Sequence, residues 1–149
     1  MQASNECIAL IRRFEGLVTK AYKCPAGVWT FGYGHTAGVN ANDVITSAQA
    51  EALLEADVSV ISKSVSRLLA GTKIKQCQFD ALVSFTFNVG TNALAFSTLL
   101  KFVLAGKTEK AADQFLRWVY VTNPKTKTKM KLAGLEARRR AERELFLRD

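Results

Sequence analysis

Glu15, Cys24, Thr30 and His35, four residues whose side chains can move protons or attack carbon, fall within 21 positions near the start of the sequence. Eight residues separate Glu15 from Cys24, and five separate Cys24 from Thr30. Glu15 lies in the last turn of a helix expected over 5–15, where the helix dipole disfavours a negative charge, and Phe14 and Leu17 flank it. Both influences disfavour the carboxylate form, so its pKa is expected to rise, as a general acid requires. The plainer reading is a solvated glutamate paired with Arg12, and on position alone that reading leads. A nucleophilic Cys24–His35 pair of the thiol-hydrolase kind is a rival. Zinc is disfavoured, because the three cysteines and the single histidine lack ligand spacing.

The elements that must position these residues are legible in the apolar pattern. Cys7, Leu10, Ile11 and Phe14 recur at helical spacing over 5–15, with Ser4 or Asn5 as cap and Gly16 as terminator. Residues 17–45 change character, with Tyr22, Trp29, Phe31 and Tyr33 among glycines. Cys24-Pro25-Ala26-Gly27 suits a tight turn and Val28–Phe31 has strand composition, so a small hairpin or meander is expected. Thr46-Ser47-Ala48-Gln49 is a capping box that opens a long helix ending near Gly71. Helices are then expected at about 76–89, 93–105, 108–120 and from 133 onward. The lysine-rich stretch 123–131 reads as an exposed loop.

Bulk properties narrow the function classes. A chain of 149 residues with 48% hydrophobic content suits one compact domain spanning 1–149, with no separate binding domain. Lys and Arg outnumber Asp and Glu by 21 to 13, a net charge of +8, which favours a polyanionic partner. Cys7, Cys24 and Cys77 are poor material for a disulfide framework, and reduced thiols are expected. The N-terminal stretch has neither the basic nor the apolar region of a secretion signal, and no run approaches a membrane span.

Phe14-Glu15-Gly16-Leu17, the Ala21-Tyr22 pair and the Gly32-Tyr33-Gly34-His35-Thr36 run resemble the phage lysozymes, or endolysins, of glycoside hydrolase family 24. Their signature is Glu, eight residues, Asp or Cys, five residues, Thr. The resemblance continues through Ala81–Gly90, Phe96–Leu100, Phe115–Trp118, Gly134-Leu135 and Arg138-Arg139 with Glu142, in order along nearly the whole chain. Two departures stand out. Cys24 replaces the commoner Asp, as in a subset of the family, and a lysine-rich Tyr120–Met130 replaces the usual Gly-Gly turn before the last helix.

The resemblance implies a lysozyme-like α+β fold, predominantly helical: a small β-containing N-terminal lobe joined by a long helix to a helical C-terminal lobe. It implies hydrolysis of the β-1,4 bond between N-acetylmuramic acid and N-acetylglucosamine in peptidoglycan. Glu15 would protonate the glycosidic oxygen while Cys24 and Thr30 hold or activate water on the opposite face. That inverting arrangement needs roughly 6.5–9.5 Å between paired carboxyl groups to admit the water. A free thiol is mostly protonated at neutral pH. Cys24 is therefore either a weak base, a group that orients water or stabilises positive charge, or, as a more remote option, a nucleophile. Phe87 and Asn88 match positions lining the cleft, although Phe87 also suits ordinary core. The resemblance also implies that His35 is a structural hydrogen-bonding residue, and that Arg138 or Arg139 reaches Glu15 from the last helix.

No metal or organic cofactor is implied. The expected partners are peptidoglycan, a holin that grants access from the host cytoplasm to the periplasmic wall, and an anionic membrane or lipopolysaccharide in weak electrostatic contact. A monomer with no obligate nucleic acid is expected. Two rival classes exist. A nucleic-acid-binding protein is supported by the charge and the Lys125–Arg143 cluster, but no nucleic-acid fold signature appears. A membrane-active helix over Leu132–Leu147 would use Leu135, Leu145 and Phe146 against its arginines.

Overall fold

The computed structural model describes residues 1–149. Helix α1 (Asn5–Glu15) starts where Ser4 accepts a hydrogen bond from the Cys7 amide, and Ser4 is itself bound to Asp80. Strands β1 (Val18–Lys23) and β2 (Trp29–Gly32) form an antiparallel hairpin in which Tyr22 faces Thr30 and Lys23 faces Trp29. The segment around Val44 adds to the free edge of β1 through Ala21 N to Asp43 O and Ile45 N to Thr19 O, each 2.8 Å. Of the hairpin or meander expected, the structure has the hairpin, with an isolated bridge at its edge.

Helix α2 (Ser47–Leu68) opens on the reciprocal capping box of Thr46 and Gln49. It joins the β-containing lobe to the helical one, burying Ala50, Leu54, Val58 and Val65 along one stripe. The centre of the helical lobe is α3 (Gln76–Val89), whose residues Phe79 to Thr86 are all buried. A helix enclosed on every side must be packed by several others, and α1, α2 and α7 (Ala133–Leu147) surround this one. Phe85 meets Phe115 and Trp118 edge to face, with ring centroids 5.5 and 5.2 Å apart.

Three expectations change in the helical lobe. The helix expected at 93–105 is two: α4 (Thr91–Ala95) and α5 (Thr98–Leu104). The break is made by Ser97, whose hydroxyl donates to Leu94 O (2.7 Å) and accepts from Leu100 N (3.0 Å). A hydroxyl that satisfies both helix ends competes with continuation, and it leaves Phe96 86% exposed at the joint. The helix expected at 108–120 is α6 (Thr108–Phe115), which stops early. The stretch 123–131 is not wholly loop, because β3 (Tyr120–Thr122) pairs antiparallel with β4 (Lys129–Lys131). Val121 and Thr122 are β-branched and suit a strand better than a helix end. The fold is predominantly helical α+β, with α7 closing it against α3 and α6.

Candidate active site

Glu15 is the last residue of α1, and the chain turns away from it at Gly16. Its side chain is only 19% exposed. The expected partner Arg12 points elsewhere: its Nη2 and Nε donate to Glu51 at 2.7 and 2.8 Å, and the Tyr33 hydroxyl donates to the same carboxylate at 3.1 Å. That cluster pins α1 to α2 and to the β lobe, and it leaves Glu15 without its nearest cation. The solvated-pair reading of Glu15 is thereby removed.

Arg138 approaches instead. It rises from α7 with its Nη1 3.5 Å from Glu15 Oε1, while its own side chain is 4% exposed. Burial pushes the Glu15 carboxyl above the usual carboxylate range, and the Arg138 guanidinium opposes this without cancelling it. Burial therefore outweighs the arginine charge.

Glu142 keeps Arg138 in place. Its fully buried carboxylate accepts from Ser84 Oγ at 2.5 Å and from Arg138 Nε at 3.2 Å, and pairs with Arg139 Nη1. Arg138 also donates to Ser84 O at 3.0 Å. Arg139, likewise buried, donates to Trp118 O at 2.9 Å and to Asn88 Oδ1. One buried anion therefore lies between two buried cations, the geometry that makes their burial tolerable. Asn88 is exposed at the end of α3 and tied to Arg139.

The second half of the site is the turn between β1 and β2. Gly27 N donates to Cys24 O and Cys24 N donates to Val28 O, at 2.8 and 2.9 Å, closing the expected turn. Cys24 is partly exposed at its mouth and unbridged. Thr30, 3% exposed, donates its hydroxyl to Val28 O at 2.9 Å. Backbone hydrogen bonding at Val28, and then at Ala26, outweighs the opposing effect of burial and holds the Cys24 thiol below its usual range. Cys24 and Thr30 are thus brought together, as their spacing suggests.

His35 stands apart from the thiol. Its Nδ1 lies 2.8 Å from Asp57 Oδ2 and its Nε2 lies 3.0 Å from Ala37 O, so both ring nitrogens are engaged inside the β lobe and on α2. Neither ring nitrogen is hydrogen-bonded to Cys24. His35, Gly34, Asp57, Val60, Ile61 and Phe87 border a cavity of about 240 Å³ between the β lobe, α2 and the end of α3. Phe87 is half-buried at its edge and packs against the core.

Gly34 joins that cavity to the acid. It adopts φ +81°, and a Cβ placed on it would lie 3.5 Å from Glu15 Oε1 and 3.6 Å from Oε2. The bare backbone therefore leaves open, on one side of the carboxylate, the space that a side chain would fill. Sequence reasoning missed Gly34, Ser84 and Glu142 as parts of the site. A Gly-x-Gly run after a strand hints at the first, while nothing local marks the other two.

Residues 12–142 match the phage lysozyme family. The chain is 43% identical over 150 residues to the endolysin of Acyrthosiphon pisum secondary endosymbiont phage 1, covering 98% of each. It is 45% identical over 151 residues to the endolysin of Bacillus phage B103, covering 99% of this chain and 54% of that one, about half its length. The solved muramidase domain of SpmX from Asticaccaulis excentricus superposes with a TM-score of 0.92 at 37% identity, covering 99% of both chains. The chain belongs to the phage lysozyme family.

Proposed function

We propose that the chain is an endolysin that hydrolyses the β-1,4 bond between N-acetylmuramic acid and N-acetylglucosamine in peptidoglycan, with residues 1–149 acting as one catalytic unit. The observation that carries this reading is Glu15: a carboxyl pushed up by burial, beside the 240 Å³ cavity edge at Gly34, with one fixed cation at 3.5 Å. A glycosidase acid must hold its proton near neutral pH and still release it. Burial supplies the first requirement, and Arg138 stabilises the carboxylate that remains afterwards.

In the proposed step, Glu15 gives its proton to the glycosidic oxygen as the bond from that oxygen to the anomeric carbon breaks. Water attacks the anomeric carbon from the opposite face and inverts it. Cys24 accepts the proton that this water loses, and Thr30 orients the water. The lowered pKa of Cys24 supports a base, because more of the group is thiolate at neutral pH. Phe87 and Asn88 line the sugar path. Arg139 fixes Asn88, and His35 holds the β lobe against α2.

No helix is long and apolar enough to cross a membrane. The protein acts as a monomer. It waits in the host cytoplasm, depends on a holin to reach the periplasmic wall at the end of a phage cycle, and makes weak electrostatic contact with anionic membrane or lipopolysaccharide. Clearing of a suspension of purified peptidoglycan tests the central assignment. The unsubstituted protein clears it, and Glu15→Gln, which keeps the shape and removes the acid, does not. Comparable clearing by a folded Glu15→Gln protein overturns the reading. Mass spectrometry of the products, showing reducing-end N-acetylmuramic acid rather than a 1,6-anhydro ring, distinguishes hydrolysis from transglycosylation.

A further inference from the structure

The β3–β4 hairpin is left unused by the catalytic reading, although its charge is the least balanced on the chain. From Gln114 to Leu135 there is no acidic residue, and five cations occur: Arg117, Lys125, Lys127, Lys129 and Lys131. Lys131 pairs with Glu136 at 3.2 Å. Lys125, Lys127 and Lys129 have no carboxylate partner and are exposed.

The arm that carries them is ordered by its own hydrogen bonds. Asn123 Oδ1 accepts from the amides of Lys125 and Thr126 at 2.9 and 3.3 Å. Asn123 N donates to Thr128 O, and Lys127 N donates to Asn123 O, each at 2.8 Å. The three free lysines therefore project from a fixed turn, so less backbone freedom is lost when they meet a ligand.

The base of the arm is joined to the catalytic carboxylate. Leu132 N donates to Val119 O at 3.0 Å, closing the hairpin. Trp118 O accepts from Arg139 at 2.9 Å, Arg139 holds Asn88, and the adjacent Arg138 stands 3.5 Å from Glu15. Three contacts, Leu132 to Val119, Trp118 to Arg139 and Arg138 to Glu15, joined through adjacent residues, connect the lysine arm to the proposed acid.

We propose that the hairpin is an anion-binding rim of the catalytic cleft, whose Lys125, Lys127 and Lys129 bind carboxylates on the peptides branching from the glycan strand being cut. The inference rests on the reading of the chain as a peptidoglycan hydrolase. In intact peptidoglycan the lactyl carboxyl of N-acetylmuramic acid is tied up in its amide to the peptide, so the carboxylates left for these lysines are those of the peptide branches. A lipid surface fits less well. In the β3–β4 register Val121 faces Met130, while Lys129 faces Thr122 and Lys131 faces Tyr120. Side chains alternate between faces along a strand, so the apolar pair and the strand lysines point to opposite sides. An arm lying on lipid directs its apolar and cationic groups to the same side.

The test compares Lys125→Gln/Lys127→Gln/Lys129→Gln with the triple arginine variant, on intact peptidoglycan and on the same material with its peptide carboxylates converted to neutral amides by carbodiimide and ammonia. At low salt the glutamine variant is expected to raise KM for intact peptidoglycan about fivefold with kcat held, and about 0.3 M NaCl to shrink the difference. The arginine variant retains the low KM, and on the amidated material all three proteins have the same KM. Thermal melting establishes that the variants fold. An unchanged KM on intact material, or an equal rise on the amidated material, overturns the proposal. So does a loss confined to co-sedimentation with phosphatidylglycerol vesicles, which would assign the arm to lipid. If the unsubstituted protein hydrolyses neither substrate, it is the hydrolase reading that fails, and the rim falls with it.

Discussion

Replacing Gly34 by alanine separates the strain of a backbone from the chemistry it covers. Gly34 holds φ +81°, a conformation that costs a side-chain-bearing residue about 1–2 kcal/mol. In a chain of this size each kcal/mol lowers Tm by roughly 2–4 °C, so a fall of about 2–8 °C is expected. The new methyl would sit 3.5–3.6 Å from the Glu15 carboxyl atoms, ordinary contact rather than collision. It adds no large steric term, but it seals that side of the acid from water and from an approaching sugar. If productive approach uses that side, losing it costs about 1.4–2.7 kcal/mol of transition-state stabilisation, ten- to a hundredfold in kcat/KM. Gly71→Ala is the internal control. Gly71 has φ +82°, nearly the same strain, with nothing within 4 Å of its added Cβ. Melting and initial rates of peptidoglycan clearing, measured well below Tm, should give similar Tm losses for the two variants and an activity loss for Gly34→Ala alone. Equal activity in both variants would refute the argument that the Gly34 side of Glu15 is the side that works.

Other consequences concern charge and thiols. Because burial raises the Glu15 pKa, ionising it costs stability once the pH exceeds its unfolded value, whereas below that value it is protonated in both states. Glu15→Gln should therefore gain in Tm relative to the unsubstituted protein as the pH rises above the ordinary carboxylate value of 4.5, and a difference independent of pH would contradict the shift. Iodoacetamide at mildly alkaline pH should label Cys24 first, since its thiol is lowered and accessible while Cys7 is buried and its pKa strongly raised. Peptide mapping checks this, and first labelling at Cys7 would refute it. Cys24→Asp should keep much of the clearing activity and Cys24→Ala should lose most of it, because a carboxylate can also accept the water's proton. Glu142→Ala leaves two buried guanidinium groups without their anion, a loss of about 3–5 kcal/mol that denaturant unfolding would register.

Local signals carried much of this molecule. The cap at Ser4, the capping box at Thr46 and Gln49, and the turn at Cys24–Gly27 are each decided within four or five residues, and each is where the sequence predicts it. Cys24 and Thr30 lie on one short hairpin, so their meeting is also a local matter. Short-range competition was harder to read. Ser97 splits a helix because one hydroxyl serves both sides of the break, and Tyr120–Thr122 leaves helix for strand because β4 is there to pair with it.

Sequence alone placed Glu15 at a helix end and gave it two candidate cations, Arg12 and an arginine of the last helix. Only tertiary structure chose between them. Glu51 and Tyr33 draw Arg12 away, while Glu142 and Ser84 aim Arg138 inward across 123 positions of chain. The state of the acid depends on how completely these elements exclude water, a property of their packing together that no spacing along the chain encodes.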